Sequence, residues 1–222
     1  MILIINGMAT KQSKICVLAS GGIESSALIY LLTKQYRQVF PVYISHGFIW
    51  ENAEQYWLKK FIRSLKTPSV EPLTVYHYPL QKIYQNHWGF SGEKVPGFFS
   101  RDEAVFLLGR NLLLLSLASI FCYQNKIPRI ALGILASNPF PDSSSHFFTS
   151  LERTFRMGYQ TPLKIERPFS KLKKKDVICL AKGAPLELTF SCLKPRGRFH
   201  CGKCNKCAER EKAFRAASTG DG

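Results

Sequence analysis

The chain has no apolar run reaching the roughly 18 residues that a membrane-spanning helix needs. Residues 1–7, MILIING, are apolar but lack a positive flank and are too short for a secretory signal, and Met8 can serve as an alternative start. An integral membrane protein and an exported one are therefore not expected. Acid is scarce: 15 Asp and Glu stand against 31 Lys and Arg, a formal net charge of +16. No internal repeat is present, and the lysine run 171–175 is the only biased stretch. The chain carries neither GxGxxG nor the lysine-bearing phosphate loop of P-loop hydrolases, so those two nucleotide fingerprints do not apply.

What is present is ordinary for a globular domain: 222 residues, 45% hydrophobic and 21% charged, enough for one large core. Much of the basic excess falls after residue 163, in Lys171, Lys173, Lys174, Lys175, Lys194, Arg196 and Arg198. Such a surface attracts polyanions such as ATP, pyrophosphate or RNA, or it is a solvated basic face. Cys16, Cys122 and Cys179 sit in apolar segments and read as small core residues of a protein of the reducing cytoplasm.

The periodicity predicts strands at 15–19, 39–45, 70–77, 129–135 and 162–166. It predicts helices through Ala27–Leu32, over 51–65, from Asn111 to Gln124 (buried), over 145–157, from a Ser170 cap to Gly183, and from near Cys207 onward. Residues 86–100, with Gly, Pro and aromatics, read as a long functional loop. This alternation implies an α/β fold, a mostly parallel sheet with helices on both faces. Ligands of such sheets sit beyond the carboxyl ends of the strands, where the turns 20–25, 45–50 and 136–145 share one rim.

Two motifs carry chemistry. The last segment reads Cys192 and then Cys201-Gly202-Lys203-Cys204-Asn205-Lys206-Cys207. Four sulfurs on such short loops suit one tetrahedral Zn²⁺ with no open position, hence a structural site. Disulfides are the alternative, disfavoured by the two-residue spacing. The ion and its four thiolates would lower the net charge by about 2. His200 beside Cys201 is a substitute ligand only if a cysteine is excluded from the set. At the other end, Ser20-Gly21-Gly22-Ile23-Glu24-Ser25 follows the first strand and opens a helix. Glycines let backbone amides approach an anion, serines add donors, and the helix dipole favours negative charge. An ordinary strand–helix corner is the plainer alternative.

The loop resembles the pyrophosphate loop of the ATP pyrophosphatase superfamily, usually Ser-Gly-Gly-x-Asp-Ser. Both ends together resemble the 7-cyano-7-deazaguanine synthase family of queuosine and archaeosine biosynthesis. The resemblance rests also on Gly109-Arg110-Asn111, Pro141-Asp142, Lys174, Thr189-x-Ser191-Cys192 and Arg210. It implies a Rossmann-like parallel sheet of the adenine nucleotide alpha hydrolase type, divided into a nucleotide-binding domain (1–185) and a zinc-binding segment (186–222). It implies an ATP-dependent carbon–nitrogen ligase that makes a nitrile from 7-carboxy-7-deazaguanine and ammonia through an adenylated intermediate. By this resemblance ATP with Mg²⁺ is held by Ser20, Gly21, Gly22, Glu24, Ser25 and His46. Glu24, Arg110 and Lys174 act in catalysis, Asn111 and Asp142 bind substrate, and Cys192, Cys201, Cys204 and Cys207 bind structural Zn²⁺. A homo-oligomer is expected, and RNA contact is allowed but not required.

The sequence departs from the family twice. Glu24 stands where the family has Asp, which shifts a metal contact by about one bond. Ser143-Ser144-Ser145-His146 replaces the family's Cys-Arg and the acidic residue after it, so a related ligase with another acceptor is the alternative. A zinc-stabilised RNA-binding module is a third reading, which the Ser-Gly-Gly turn disfavours. For single residues the plainer roles are a rim histidine at 46, a salt bridge from Arg110 to Glu103 or Asp102, and a turn residue at Asp142. Trp88, Phe98 and Phe99 can line a substrate loop or simply pack.

Overall fold

The computed structural model describes residues 12–218; the expectations for residues 1–7 and Met8 lie outside them. Five strands form one all-parallel sheet: β1 (Gln12–Leu18), β2 (Tyr36–Ser45), β3 (Thr74–His77), β4 (Arg129–Ala131) and β5 (Lys164–Glu166). Their order is β3-β2-β1-β4-β5, with β1 between β2 and β4. The eight α-helices of the described residues are α1 (Ile23–Leu32), α2 (Glu51–Ser64), α3 (Gln81–Tyr84), α4 (Trp88–Ser91), α5 (Arg110–Gln124), α6 (Ser145–Tyr159), α7 (Lys174–Leu180) and α8 (Asn205–Ser218).

Alternation along β1 builds the two halves of the core. Ile15 and Val17 face one side, where Leu28 and Ile29 of α1, Leu58 and Phe61 of α2, and Val177 of α7 pack. Cys16 and Leu18 face the other, against Leu115 and Phe121 of α5 and Phe148 and Leu151 of α6. Truncating a fully buried member such as Leu58 or Leu115 to Ala would cost about 2–5 kcal/mol.

Several expected boundaries differ, each for a physical reason. β3 is short because Val70 makes only an isolated bridge to Val39 before the chain rejoins the sheet at Thr74. β4 ends at Ala131, although the apolar run continues; Gly133 and Leu135 instead line the cleft beyond the sheet. α7 starts at Lys174, not near Ser170, and Lys173 N–H donates to the Asp176 carboxylate at 2.9 Å. α8 begins at Asn205, so Cys207 lies in its first turn. Cys16 and Cys122 are buried as expected, but Cys179 is exposed on α7. The loop 86–100 contains the one-turn helix α4, whose Gly89 fits closely beneath Phe48 and Trp50.

Past residue 186 the chain returns to the sheet's carboxyl edge. Phe190, Cys192, Leu193, Cys204 and Cys207 form a small cluster with Ala53 of α2 and Val105. Phe190 N–H donates to the Gly21 carbonyl at 2.7 Å, which fastens this segment to the glycine turn.

Candidate active site

The glycine turn leaves β1 and opens α1. Gly21 has φ +77°, and a Cβ there would meet the Glu54 carbonyl oxygen at 3.0 Å, so the position requires glycine on both counts. Gly22 is the N-cap residue of α1 and makes no side-chain cap. Ser20 and Ser25 brace the turn: Ser20 N–H donates to Ser25 Oγ at 3.1 Å, and Gly22 N–H to Ser20 Oγ at 3.3 Å. A Cβ on Gly22 would lie 3.3 Å from Ser20 Oγ, and 3.6 Å from both Glu24 Oε2 and Ser191 Oγ. The small space left by the absent side chain is thus rimmed by hydroxyls, a carboxylate and a helix N-terminus.

Two adjoining cavities of about 210 and 270 Å³ open in front of this turn. Ser20, Glu24, Arg110, Gly133 and Lys206 border both. Trp50 and Phe140 also line both; the first alone reaches Gly22, Ser191, Lys174 and Glu209, and the second alone reaches Trp88, Phe106, Asn111 and Asp142. The first cavity therefore offers the hydroxyls of the glycine turn among paired cations and carboxylates, and the second a more aromatic slot with Asp142.

A chain of alternating charges runs along the first cavity. Lys174 Nζ lies 2.7 Å from Glu24 Oε1 and 2.7 Å from Glu209 Oε1, and Lys206 Nζ lies 2.7 Å from Glu209 Oε2. Burial disfavours the charged form of Lys174, but Glu24 and Glu209 outweigh it and raise its pKa. Burial likewise works against the Glu209 carboxylate, yet Lys174 and Lys206 hold it at about 2. Glu54, buried behind the turn, receives the Tyr43 hydroxyl at 2.7 Å; burial pushes its pKa up to about 8 despite the nearby Arg110.

Arg110 follows Gly109, whose φ of +71° sets the entry into α5. Its guanidinium lies 6.0 Å from the Phe48 ring centroid, and its buried Nε has no partner among the described residues. The expected alternative partners are engaged elsewhere: Glu103 pairs with Arg101, and Asp102 accepts from Asn205. Asp142 accepts the Asn111 N–H at 3.0 Å, so one carboxylate oxygen caps the start of α5. Asn111 Nδ2 returns a bond to the Asp142 carbonyl at 2.9 Å.

Other expected residues lie elsewhere. His46, placed by expectation at the nucleotide, is 1% exposed and borders neither cavity; its Nδ1 faces the Tyr78 carbonyl at 3.0 Å. Ser143–His146 also stay outside both cavities. Ser144 caps α6 by accepting from Phe147 N–H, Ser143 donates to the Phe140 carbonyl, and His146 is exposed. Trp88 borders the slot, whereas Phe98 and Phe99 do not, and Phe99 is 96% exposed.

The four C-terminal cysteines converge. Their sulfurs all lie within 4.8 Å of one another, with pairs at 3.5 Å (Cys204–Cys207) and 3.9 Å (Cys192–Cys204 and Cys201–Cys207). A tetrahedral ion with metal–sulfur bonds of about 2.3 Å sets its ligands about 3.8 Å apart. Leu193 N–H and Cys201 N–H each point at a sulfur at 3.3 Å, which favours thiolates. The cluster thus fits a metal ion. His200 is not part of it: its Nε2 accepts from Ser191 N–H at 3.1 Å. Its pKa falls to about 4, through burial first and Arg210 second.

Sequence reasoning missed Ser191 as a wall residue, as well as Gly133, Glu54, Lys206 and Glu209. Ser191 belongs to the Thr189-x-Ser191-Cys192 motif and Lys206 to the cysteine segment, but neither motif by itself assigns them a place on the cleft wall. Gly133, Glu54 and Glu209 reach the site through tertiary contacts that no local pattern encodes.

The fold resembles the U34-tRNA thiolase NcsA of Methanococcus maripaludis with a TM-score of 0.52 at 13% identity, covering 95% of this chain and 67% of that one. Curated relatives include 7-cyano-7-deazaguanine synthase 1 of Desulfitobacterium hafniense, 29% identical over 91% of this chain and 92% of its own length. The 7-cyano-7-deazaguanine synthase of Aquifex aeolicus is 28% identical over 92% of this chain and 98% of its own. A model of the family described as "Queuosine biosynthesis protein QueC" matches residues 14–218, and with the glycine turn, the charged cleft and the cysteine cluster in place, this chain belongs to the QueC family.

Proposed function

We propose that the protein converts 7-carboxy-7-deazaguanine and ammonia to 7-cyano-7-deazaguanine at the expense of ATP. The observation that carries this reading is the shared wall of the two cavities. Glu24, Arg110 and Lys206 border both the cavity in front of the glycine turn and the aromatic slot that holds Asp142. A nucleotide and a planar acceptor are thereby brought edge to edge.

The substrate carboxylate attacks the α-phosphorus of ATP, forming an acyl-adenylate and releasing pyrophosphate. Ammonia attacks the acyl carbon, AMP leaves, and an amide with one proton lost to solvent remains. A second ATP activates the amide oxygen in the same way, and loss of AMP and protons yields the nitrile. In this reading Ser20, Gly22 and Ser25 bind the phosphates, with Gly21 shaping the turn. Arg110 and Lys174 balance negative charge as pyrophosphate departs. Asn111 fixes Asp142, whose remaining carboxylate oxygen accepts ring N–H groups. A carboxylate beside a phosphate cradle suits Mg²⁺, which Glu24 would hold and which would offset phosphate charge. The Ser20 and Ser191 hydroxyls and the Glu24 carboxylate around Gly22 fit such a ligand, and a Cβ there would intrude on the space they surround.

The proposal extends to a structural Zn²⁺ on Cys192, Cys201, Cys204 and Cys207, to the domain division near residue 185, and to work in the reducing cytoplasm. Among the described residues no helix is long and apolar enough to cross a membrane. A homo-oligomer is supported by the outer face of α5, where Leu112, Ile120 and Tyr123 remain exposed beside Leu108, which is 75% exposed.

The test is incubation with ATP, ammonium and 7-carboxy-7-deazaguanine, followed by product mass. A nitrile appearing with AMP supports the assignment. ATP binding without any product from this carboxylate would favour a related ligase for another acceptor.

A further inference from the structure

Lys174 is over-supplied with counter-charge. Its side chain is 12% exposed, and two carboxylates, Glu24 from the glycine turn and Glu209 from α8, both lie 2.7 Å from its Nζ. One carboxylate would neutralise it. The second oxygen of Glu209 is held by Lys206 at 2.7 Å, so Glu209 is fixed at both ends. Glu24 is not: only Oε1 meets Lys174, while Oε2 points toward the space over Gly22. A buried ammonium stripped of its only counter-charge is strongly unfavourable. Without Glu209, Lys174 would depend on Glu24 alone; with it, Lys174 keeps a counter-charge when Glu24, which also feels the charge of Arg210, changes partner.

We propose that Glu209 is a positioning residue that keeps Lys174 on the cleft wall while Glu24 turns to a cation accompanying the nucleotide phosphates. The inference rests on the reading of residues 20–25 as a phosphate site. It assigns a task to α8, the helix after the cysteine cluster, that neither the loop nor the cysteines perform. It also accounts for Lys206, which restrains Glu209 without touching Lys174's other partner.

The test measures ATP binding to the full metal-loaded chain by calorimetry across a Mg²⁺ series, for wild type and Glu209→Gln. The neutral amide leaves Lys174 dependent on Glu24. ATP affinity without Mg²⁺ should be unchanged or tighter, since one negative charge has gone. The Mg²⁺ concentration giving half of the maximal gain in affinity should rise about tenfold. Glu209→Asp, which restores the charge on a shorter arm, should recover most of the shift. An unchanged Mg²⁺ requirement in folded Glu209→Gln overturns the inference. So does an equal loss of ATP affinity with and without Mg²⁺, the mark of mere structural damage. If Glu209→Gln does not fold, Lys206→Gln carries the test: a rise of about threefold is expected, and no rise overturns it. Wild-type protein that fails to bind ATP at all would refute the phosphate reading itself, a different result from either.

Discussion

Gly133→Ala should disable the cleft from a position that no motif marks. A Cβ at Gly133 would lie 2.7 Å from Glu24 Cβ, 3.1 Å from its carbonyl carbon and 3.3 Å from its carbonyl oxygen. Comfortable carbon–carbon contact is about 3.5–4.0 Å, so the first turn of α1 and the strand end must separate by about 1 Å. The obstacle is Cβ and backbone rather than the tip of a flexible side chain. Overpacking of this kind costs about 1–3 kcal/mol. The functional loss should be larger in proportion, because a misplacement of about 1 Å at reacting groups can cost on the order of 100-fold in rate. ATP-dependent product formation and thermal unfolding should be followed together. Gly158→Ala is the control: nothing lies within 4 Å of a Cβ there, and this residue of α6 should gain about 0.5–1 kcal/mol from the substitution. Gly133→Ala with turnover within twofold of wild type would show that α1 relaxes freely and that Glu24 placement is not limiting.

Three further outcomes are expected. Cys201→Ala should lower bound zinc from one ion per chain and cut the melting temperature, because ligation energy is folding energy here; wild-type protein purified without chelator and free of zinc by elemental analysis would refute the metal assignment. Asp142→Asn should raise KM for the carboxylate substrate about tenfold with ATP affinity unchanged, since the amide oxygen can still cap α5 while the charge facing the slot is gone; an unchanged KM would remove Asp142 from substrate recognition, whereas Asp142→Ala would confuse the issue by also losing about 1 kcal/mol of cap. Glu54, pushed from 4.5 up to about 8 by burial, binds a proton in the fold that it has lost when unfolded, so stability falls as pH rises between those values. Glu54→Gln should flatten melting temperature against pH over that window and add about 1–3 kcal/mol near pH 8; parallel curves for the two proteins would show that Glu54 is ionised in the fold.

The elements that could be read from sequence are those fixed by short-range chemistry. The β1–turn–α1 unit follows from an apolar run, two glycines and a helical pattern, all within 18 residues of chain from Ile15 to Leu32. The cysteine cluster follows from spacing alone, apart from Cys192, which arrives by a loop. The run 129–135 misled because apolarity does not say whether a residue pairs in a sheet or lines a cleft. α5 is apolar all round, which reads as burial, yet Leu112 and Ile120 face outward. His46 was placed by its position at the end of β2, but the side chain turns under the sheet edge toward Tyr78. Glu209 carries no sequence signal of its own, because its place at the site comes from the packing of α8 beside Lys174.

The hydrogen bond from Phe190 to the Gly21 carbonyl has a consequence for how the protein is born. The glycine turn leaves the ribosome well before its partner, because Gly21 precedes Phe190 by most of a domain in the chain. Until Phe190 emerges, a growing chain carries the turn with that carbonyl unpaired and with the wall formed by Ser191 missing. Contacts of such sequence separation form late, because a long loop must close first. Nascent chains should therefore acquire a protected core before they acquire nucleotide affinity, and stalling translation short of residue 190 should yield a folded sheet that holds ATP poorly.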